Sequence, residues 1–351
     1  MNSSLDVGFT LFDAFISGWI MPLFFAISGA AVYFSIAKRN GSQFFKDRLM
    51  RLMIPFLTVG LFGILSVNVY YDSIFHGSFS GDFLSFYLGP YFTRFFPFSL
   101  NFSLTYFADS NQGIYLWYLF WLFVFSLTTF PLFKWLANAE NRTKVRGFYS
   151  FCNRRGGILI LSIPIILVNI AAVPPFFVFP SGYGGWKLPT YLALFVTAYA
   201  MASNPQFEES IEKNSGVALF VGIMTSVAII VLLAKGVVSD SSLMARSYVL
   251  VSTVWALNGW CWVAAILGFG RKYLSFNQKY LSVANELVLP FYVLHQSVIV
   301  AVAFYVVQLD IVVIAKYLLI VLVSFPIIVA LLYPISKFNV PRFLFGMRIK
   351  K

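Results

Sequence analysis

The feature that most constrains this chain is a series of nine long stretches without Asp, Glu, Lys or Arg, of which the eighth contains one histidine. Each stretch is at least 20 residues long, enough for an α-helix to cross a bilayer, whereas a transmembrane β-strand needs only about 10 residues. Backbone groups in lipid must be satisfied within the segment, which a helix does by itself. We therefore predict an all-α, polytopic transmembrane bundle of about nine spans, forming a single domain over residues 1–351. The stretches are residues 14–37, 52–71, 110–133, 156–179, 188–207, 214–234, 247–270, 287–309 and 317–336.

The charges predict an orientation for these helices. The sequence carries a net charge of +12 although only 11% of its residues are charged. Of the 25 Lys and Arg residues, 20 fall in alternate connections and in the C-terminal tail. By the positive-inside rule these segments are cytoplasmic, so we expect the N-terminus outside and the C-terminus inside. Because topology accounts for the basic residues, we do not expect a nucleic-acid partner.

His295 is the ionisable residue within the eighth stretch. Keeping such a side chain at membrane depth is costly, so it indicates a functional site. Burial favours the neutral imidazole, which can accept a proton from a hydroxyl group. Tyr292, one helical turn earlier, is a candidate for orienting a substrate. The alternative is a structural histidine that bonds to a neighbouring helix.

Three basic residues precede the second stretch and form a candidate anion site. Arg48 and Arg51 share a face if the segment is α-helical, and Lys46 lies nearby. Two guanidinium groups on one face could bind the phosphates of a nucleotide-like cofactor such as coenzyme A. Binding to anionic lipid headgroups explains the same pattern equally well.

Other segments are interpreted as structural. The small residues Ser28, Gly29, Ala30 and Ala31 indicate a helix-packing face rather than a substrate site. The connection 72–109 is rich in aromatic residues, and we expect it to lie in the membrane interface or to dip back into the bundle.

The sequence gives little support for a metal site, a phosphate-binding loop or a transporter. The chain has two histidines and two distant cysteines, so we expect no metal site. It contains no P-loop or dinucleotide fingerprint, and no pair of carboxylates lies within the apolar stretches.

Four segments resemble the acyltransferase type 3 family of integral-membrane enzymes, and most closely its glucan-modifying branch, which includes a glucan biosynthesis protein. They are MPLFFAISGAAVYFS, FFKDRLMRLMIPF, YLWYLFWLFVFSL and LGFGRKYLSFNQKYLSVANELVLPFYVLHQSVIV. The resemblance implies about ten helices that move an acyl group from cytoplasmic acyl-CoA to an acceptor hydroxyl, often of a sugar, across the membrane. Arg48 and Arg51 match the family's RxxR element, and His295 matches the histidine of its penultimate helix. The family's first helix, which carries a further catalytic histidine, has no counterpart in this sequence.

The resulting hypothesis is a multi-pass O-acyltransferase of the inner, or cytoplasmic, membrane. Its donor would be acyl-CoA and its acceptor a hydroxyl group of an extracytoplasmic glycan. His295 and Tyr292 would be catalytic, and Lys46, Arg48 and Arg51 would bind the donor. The alternatives are a non-catalytic binding or assembly protein and a small-solute transporter. The acyl group, the acceptor and the oligomeric state stay open.

Overall fold

The long apolar stretches form helices. The computed structural model describes residues 7–36, 39–95, 116–138, 151–172, 186–237, 241–274 and 281–350. Their α-helices are α1 Val7–Ser17, α2 Ile20–Ile36, α3 Gly41–Arg48, α4 Leu65–Phe75, α5 Phe83–Phe86, α6 Phe92–Phe95, α7 Trp117–Thr128, α8 Phe130–Ala137, α9 Ser162–Ala171, α10 Leu188–Ala202, α11 Pro205–Ala234, α12 Ser241–Leu274, α13 Leu281–Val306, α14 Val313–Lys337 and α15 Asn339–Leu344. Leu49–Met53, Phe56–Ile64 and Tyr87–Tyr91 are π-helical, and Gly157–Leu161 is a 3₁₀-helix.

Six helical segments of the described chain are long and apolar enough to cross a membrane, and α7 with α8, bent by 53°, makes a seventh if counted as one span. The protein is therefore a multi-pass α-helical membrane protein. The two remaining predicted stretches contain shorter apolar helices, Gly157–Ala171 and Leu188–Ala202. Residues 173–185, between these two helices, lie outside the described residues. The number nine and the orientation stay predictions. The long segments are Gly8–Ile36, Gly41–Phe75, Glu209–Ala234, Ser242–Leu274, Leu281–Val306 and Val313–Lys337.

The second span begins earlier than the sequence suggested. The predicted stretch was 52–71, but a helix starts at Gly41 and continues to Phe75. The backbone amide of Gln43 donates to the side-chain oxygen Oδ1 of Asn40 at 2.9 Å, and the backbone amide of Asn40 donates to Oε1 of Gln43 at 3.3 Å. This reciprocal pair is a capping box, which stabilises the helix start by satisfying two amides. The segment that carries Lys46, Arg48 and Arg51 is therefore continuous with the second span.

Two sets of residues form separate compact units. The first unit comprises Phe45–Phe123 and Asn277–Lys351, together with residues 1–6, and the second comprises Val7–Phe44 and Val124–Phe276. The single domain over residues 1–351 stays a prediction. All five candidate site residues belong to the first unit.

Of the small-residue patch predicted to pack, Gly29 lies at a helix contact in the second unit, whereas Ala31 is exposed. A Cβ added to Gly29 of α2 would lie 2.1 Å from the carbonyl oxygen of Phe195 in α10. Real Cβ atoms do not approach that closely, so these two helices are in contact because residue 29 lacks a side chain. Asn258 of α12 joins α11 in the same unit, since its Nδ2 donates to the oxygens of Gly222, Thr225 and Ser226 at 2.8–3.0 Å.

In the first unit, Tyr87 and Tyr91 of the predicted aromatic connection 72–109 pack back onto the second span. Tyr87 donates its hydroxyl to the carbonyl of Phe62 at 2.9 Å, and Tyr91 donates to that of Leu61. Both carbonyls belong to the π-helical part of the span, where hydrogen bonds deviate from the α-helical pattern. The tyrosines thereby supply donors to irregular backbone at membrane depth. Residues 96–109 of the predicted aromatic connection, and the first residues of the third stretch up to 115, lie outside the described part of the chain.

Candidate functional site

The site is organised around α13, which carries His295 near its middle. His295 lies 14 residues after the first residue of α13 and 11 before the last, or about 21 Å and about 17 Å of helix rise. Pro290 lies within this helix, one turn before His295. The imidazole is half-buried.

A hydrogen bond defines the tautomer of His295. Its Nδ1 lies 2.5 Å from the carbonyl oxygen of Tyr292. A carbonyl oxygen only accepts hydrogen bonds, so Nδ1 must carry a proton. In the neutral ring the lone pair is then on Nε2. The imidazole is therefore in the form in which Nε2 can accept a proton from a substrate.

Aromatic rings surround the imidazole. The Phe291 ring is parallel to it within 5°, with a centroid distance of 6.2 Å, and the Tyr292 ring lies at 5.5 Å. The Tyr292 ring contacts Tyr118 of α7 edge-on at 5.6 Å. The sequence did not single out Tyr118. It lies in the Trp- and Tyr-rich third stretch, where no spacing distinguishes one aromatic residue from the next.

The predicted anion site lies at the start of the second span. Lys46 and Arg51 are exposed and Arg48 is half-buried. The prediction that the arginines share a face assumed an α-helix, but the helix becomes π-helical at Leu49. The i→i+5 bonds of a π-helix give a wider turn, so a spacing of three no longer aligns two side chains as in an α-helix. The α-helical basis of that prediction therefore does not hold beyond Arg48.

The second span and α13 run side by side in the first unit. Ser297 donates its hydroxyl to the carbonyl of Ile64 at 3.0 Å. Nearer the start of both helices, the carbonyl of Arg51 and the side chain of Leu289 lie against the same residue, Gly346. Leu289 precedes His295 by six residues, about 9 Å of helix rise. The arginine-bearing end of the second span thus lies beside the start of α13, before the level of His295 on that helix.

An apolar cavity of about 640 Å³ lies beside α13 in the same unit. The two serines in its wall direct their hydroxyls to backbone, Ser66 to the carbonyl of Gly63 and Ser297 to that of Ile64. The cavity therefore presents almost only hydrocarbon, which suits an apolar group. It is lined by Val59, Phe62, Gly63, Ile64, Ser66, Val67, Phe83, Leu84, Tyr87, Leu294, Ser297, Val298, Ala301, Val302, Ile327 and Phe345.

Among the described residues, no group of three or more His, Cys, Asp or Glu side chains is arranged to hold a metal ion. The described part of the site therefore offers an imidazole with aromatic neighbours, and three basic residues at the start of the second span.

The sequence profile of a known family covers nearly the whole chain. The acyltransferase domain of the acyltransferase type 3 family matches residues 2–333. The chain belongs to this family. The resemblance inferred from the four segments is thus confirmed at the level of the family, and this acyltransferase is a multi-pass membrane protein. No curated protein and no solved structure matches the chain. All five candidate residues lie within the matched range.

Proposed function

We propose that this membrane acyltransferase transfers an acyl group from acyl-CoA to a hydroxyl group of an extracytoplasmic glycan, as in the glucan-modifying branch of its family. The donor would bind on the side predicted to be cytoplasmic, and the protein would reside in the inner membrane. The observation that carries the proposal is the hydrogen bond from His295 Nδ1 to the Tyr292 carbonyl. In a chain of this family, it leaves a proton-accepting nitrogen on a membrane-spanning helix.

The reaction has one proton transfer that needs a base. The acceptor oxygen attacks the thioester carbonyl while Nε2 of His295 takes the hydroxyl proton. The carbon–sulfur bond then breaks, and the imidazolium returns the proton to the departing thiolate of coenzyme A. The products are an oxygen ester and free coenzyme A, so His295 ends in its starting form. General-base catalysis of this kind contributes a factor of about 10²–10⁴ in rate.

The other candidate residues would bind and orient the substrates. Lys46, Arg48 and Arg51 would pair with the phosphates of coenzyme A, because guanidinium and ammonium groups form charge-assisted bonds with phosphate oxygens. Tyr292 would orient the acceptor, since its ring lies next to the imidazole. The apolar cavity beside α13 supports a substrate with a hydrocarbon portion.

The proposal is tested with purified protein in lipid nanodiscs, supplied with radiolabelled acetyl-CoA or succinyl-CoA and a soluble glucan. We expect His295→Ala to lower kcat by about 10²-fold or more with little change in KM for acyl-CoA, because the base acts after the donor has bound. His295→Gln should be equally impaired, since an amide retains hydrogen bonding but is not a base.

Val288→Ala is the matched control, because Val288 lies on the same helix and its side chain is 57% exposed. It should behave as wild type. Wild-type activity of His295→Ala would remove the histidine from the mechanism. Failure of the wild-type protein to consume any acyl-CoA would contradict the proposed reaction itself.

A further inference from the structure

A buried arginine near the C-terminus has no role in the proposed mechanism. Arg342 of α15 is only 3% exposed, and arginine is almost never buried unless it is paired. Its Nε donates to the carbonyl of Arg348 at 2.7 Å, its Nη1 to that of Ser336 at 2.9 Å, and its Nη2 to the carboxylate of Glu286. Each of the three guanidinium nitrogens therefore has an oxygen partner.

These partners join three parts of the first unit. Ser336 lies at the end of α14, Arg348 lies in the tail, and Glu286 lies on α13, nine residues before His295. Arg342 therefore folds residues 338–348, which we call the C-terminal segment, back onto the helix that carries His295. An ion pair with a side chain this buried costs much to break, because it leaves a charge without compensation.

The same segment lies against the second span. Gly346 has φ +71°, and a Cβ built on it would lie 2.6 Å from the carbonyl oxygen of Arg51 and 2.7 Å from Cγ of Pro55. Thr58, one turn further along the span, donates its hydroxyl to the carbonyl of Ile54 at 2.7 Å, and the carbonyl of Leu344 lies 3.4 Å from the same hydroxyl oxygen. The C-terminal segment thus contacts the backbone of a candidate phosphate-binding residue and is also bonded to α13.

We propose that the C-terminal segment is a positioning element for the donor site, with Arg342 and Gly346 as its positioning residues. Arg342 fixes the segment to α13 through Glu286, and Gly346 sets the backbone of Arg51 beside Leu289. Arg342 also neutralises the Glu286 carboxylate, which would otherwise repel the phosphates of coenzyme A. This inference rests on the proposed function. Both residues lie beyond residue 333, where the family match ends.

The test compares two glycine variants with the same backbone strain. Gly346→Ala and Gly77→Ala each place a side chain at a positive φ, 71° and 68° respectively. A Cβ at residue 77 meets no atom within 4 Å, whereas one at residue 346 meets the Arg51 carbonyl. A difference between the variants therefore reports the contact and not the strain.

We expect Gly346→Ala and Arg342→Gln to raise KM for acyl-CoA about tenfold while kcat stays within about twofold, because misplacing a binding group affects the donor more than the chemical step. Arg342→Lys keeps the charge without the planar fork, so it should recover part of the affinity. Gly77→Ala should match wild type. Direct binding of coenzyme A to the same nanodisc preparations should change in parallel with KM.

Two outcomes separate this inference from the function on which it rests. If wild type binds coenzyme A and Gly346→Ala binds it equally well, the C-terminal segment does not position the donor site. If wild type binds no coenzyme A, the proposed function fails first. Should Arg342→Gln not yield folded protein, Gly346→Ala and Arg342→Lys still decide the question.

Discussion

Replacing Gly29 by alanine tests the closest helix contact described in the second unit. The added Cβ would lie 2.1 Å from the Phe195 carbonyl oxygen, whereas ordinary contact begins at 3.4 Å. Helices α2 and α10 would have to separate by about 1.3 Å at this point. Both partners are backbone atoms, so no rotamer change can relieve the clash. Overpacking of this kind costs about 1–3 kcal/mol, and we expect a value near the upper limit.

Part of this cost is offset by the intrinsic preference of alanine for helices. Alanine is favoured over glycine in a helix by about 0.5–1 kcal/mol. The net destabilisation expected for Gly29→Ala is therefore about 2 kcal/mol. Gly216→Ala is the matched control, since Gly216 lies in α11 and a Cβ there meets no atom within 4 Å. That variant should gain about 0.5–1 kcal/mol from the same preference.

The assay is reversible unfolding in mixed micelles, followed by tryptophan fluorescence, with both variants measured beside wild type. The two variants should differ by about 3 kcal/mol in free energy of unfolding, with opposite signs relative to wild type. Equal stabilities for Gly29→Ala and Gly216→Ala would refute the close approach of α2 and α10.

Two further predictions concern polar contacts outside the proposed chemistry. Asn258→Leu should lower the free energy of unfolding by about 1 kcal/mol in the same assay, because it removes hydrogen bonds between α11 and α12. The loss is small because the Thr225 and Ser226 hydroxyls also bond to carbonyls of their own helix. A loss above about 3 kcal/mol would contradict that account. The backbone amide of Ser85 lowers the pKa of Asp82, which caps α5, below its ordinary value of 3.8. Stabilisation of that turn is therefore present above pH 3.8 and lost as the pH falls through the lowered pKa. Hydrogen-exchange protection of the Ser85 amide should follow this titration, and in Asp82→Asn it should not depend on pH.

Much of the architecture could be predicted, because the rule behind it is local. Every backbone group in lipid needs a partner, and a helix supplies one within a few residues of chain. Uncharged stretches therefore became helices almost throughout the described chain, and Gly29 of the first stretch lies at a helix contact. The capping box at Asn40 is also local, since it needs only a suitable residue three positions later. It could have been found from the sequence.

The π-helical turns were not predictable from apolar pattern. In the sequence, Leu49–Met53 and Phe56–Ile64 are indistinguishable from ordinary membrane helix. Phe56–Ile64 has hydrogen-bond partners from elsewhere in the first unit. Tyr87 and Tyr91 reach the carbonyls of Phe62 and Leu61 from a segment some 25–30 residues away along the chain. Such donors allow an irregular turn at membrane depth, but no spacing in the sequence records them.

The sequence by itself determined that this protein crosses the membrane several times as helices, and it identified His295 as an exceptional residue there, because hydrophobicity and charge are properties of each residue. The bond from His295 to the Tyr292 carbonyl is also local, since both residues lie in α13. Only the tertiary structure decided the burial of Arg342. In the sequence, Arg342 is one of several basic residues of the C-terminal tail and nothing distinguishes it from the others. In the folded protein it is buried against Glu286 and two carbonyls. The physical reason is that a buried charge needs an opposite charge, and Glu286, 56 residues away along the chain, is brought to Arg342 only by folding.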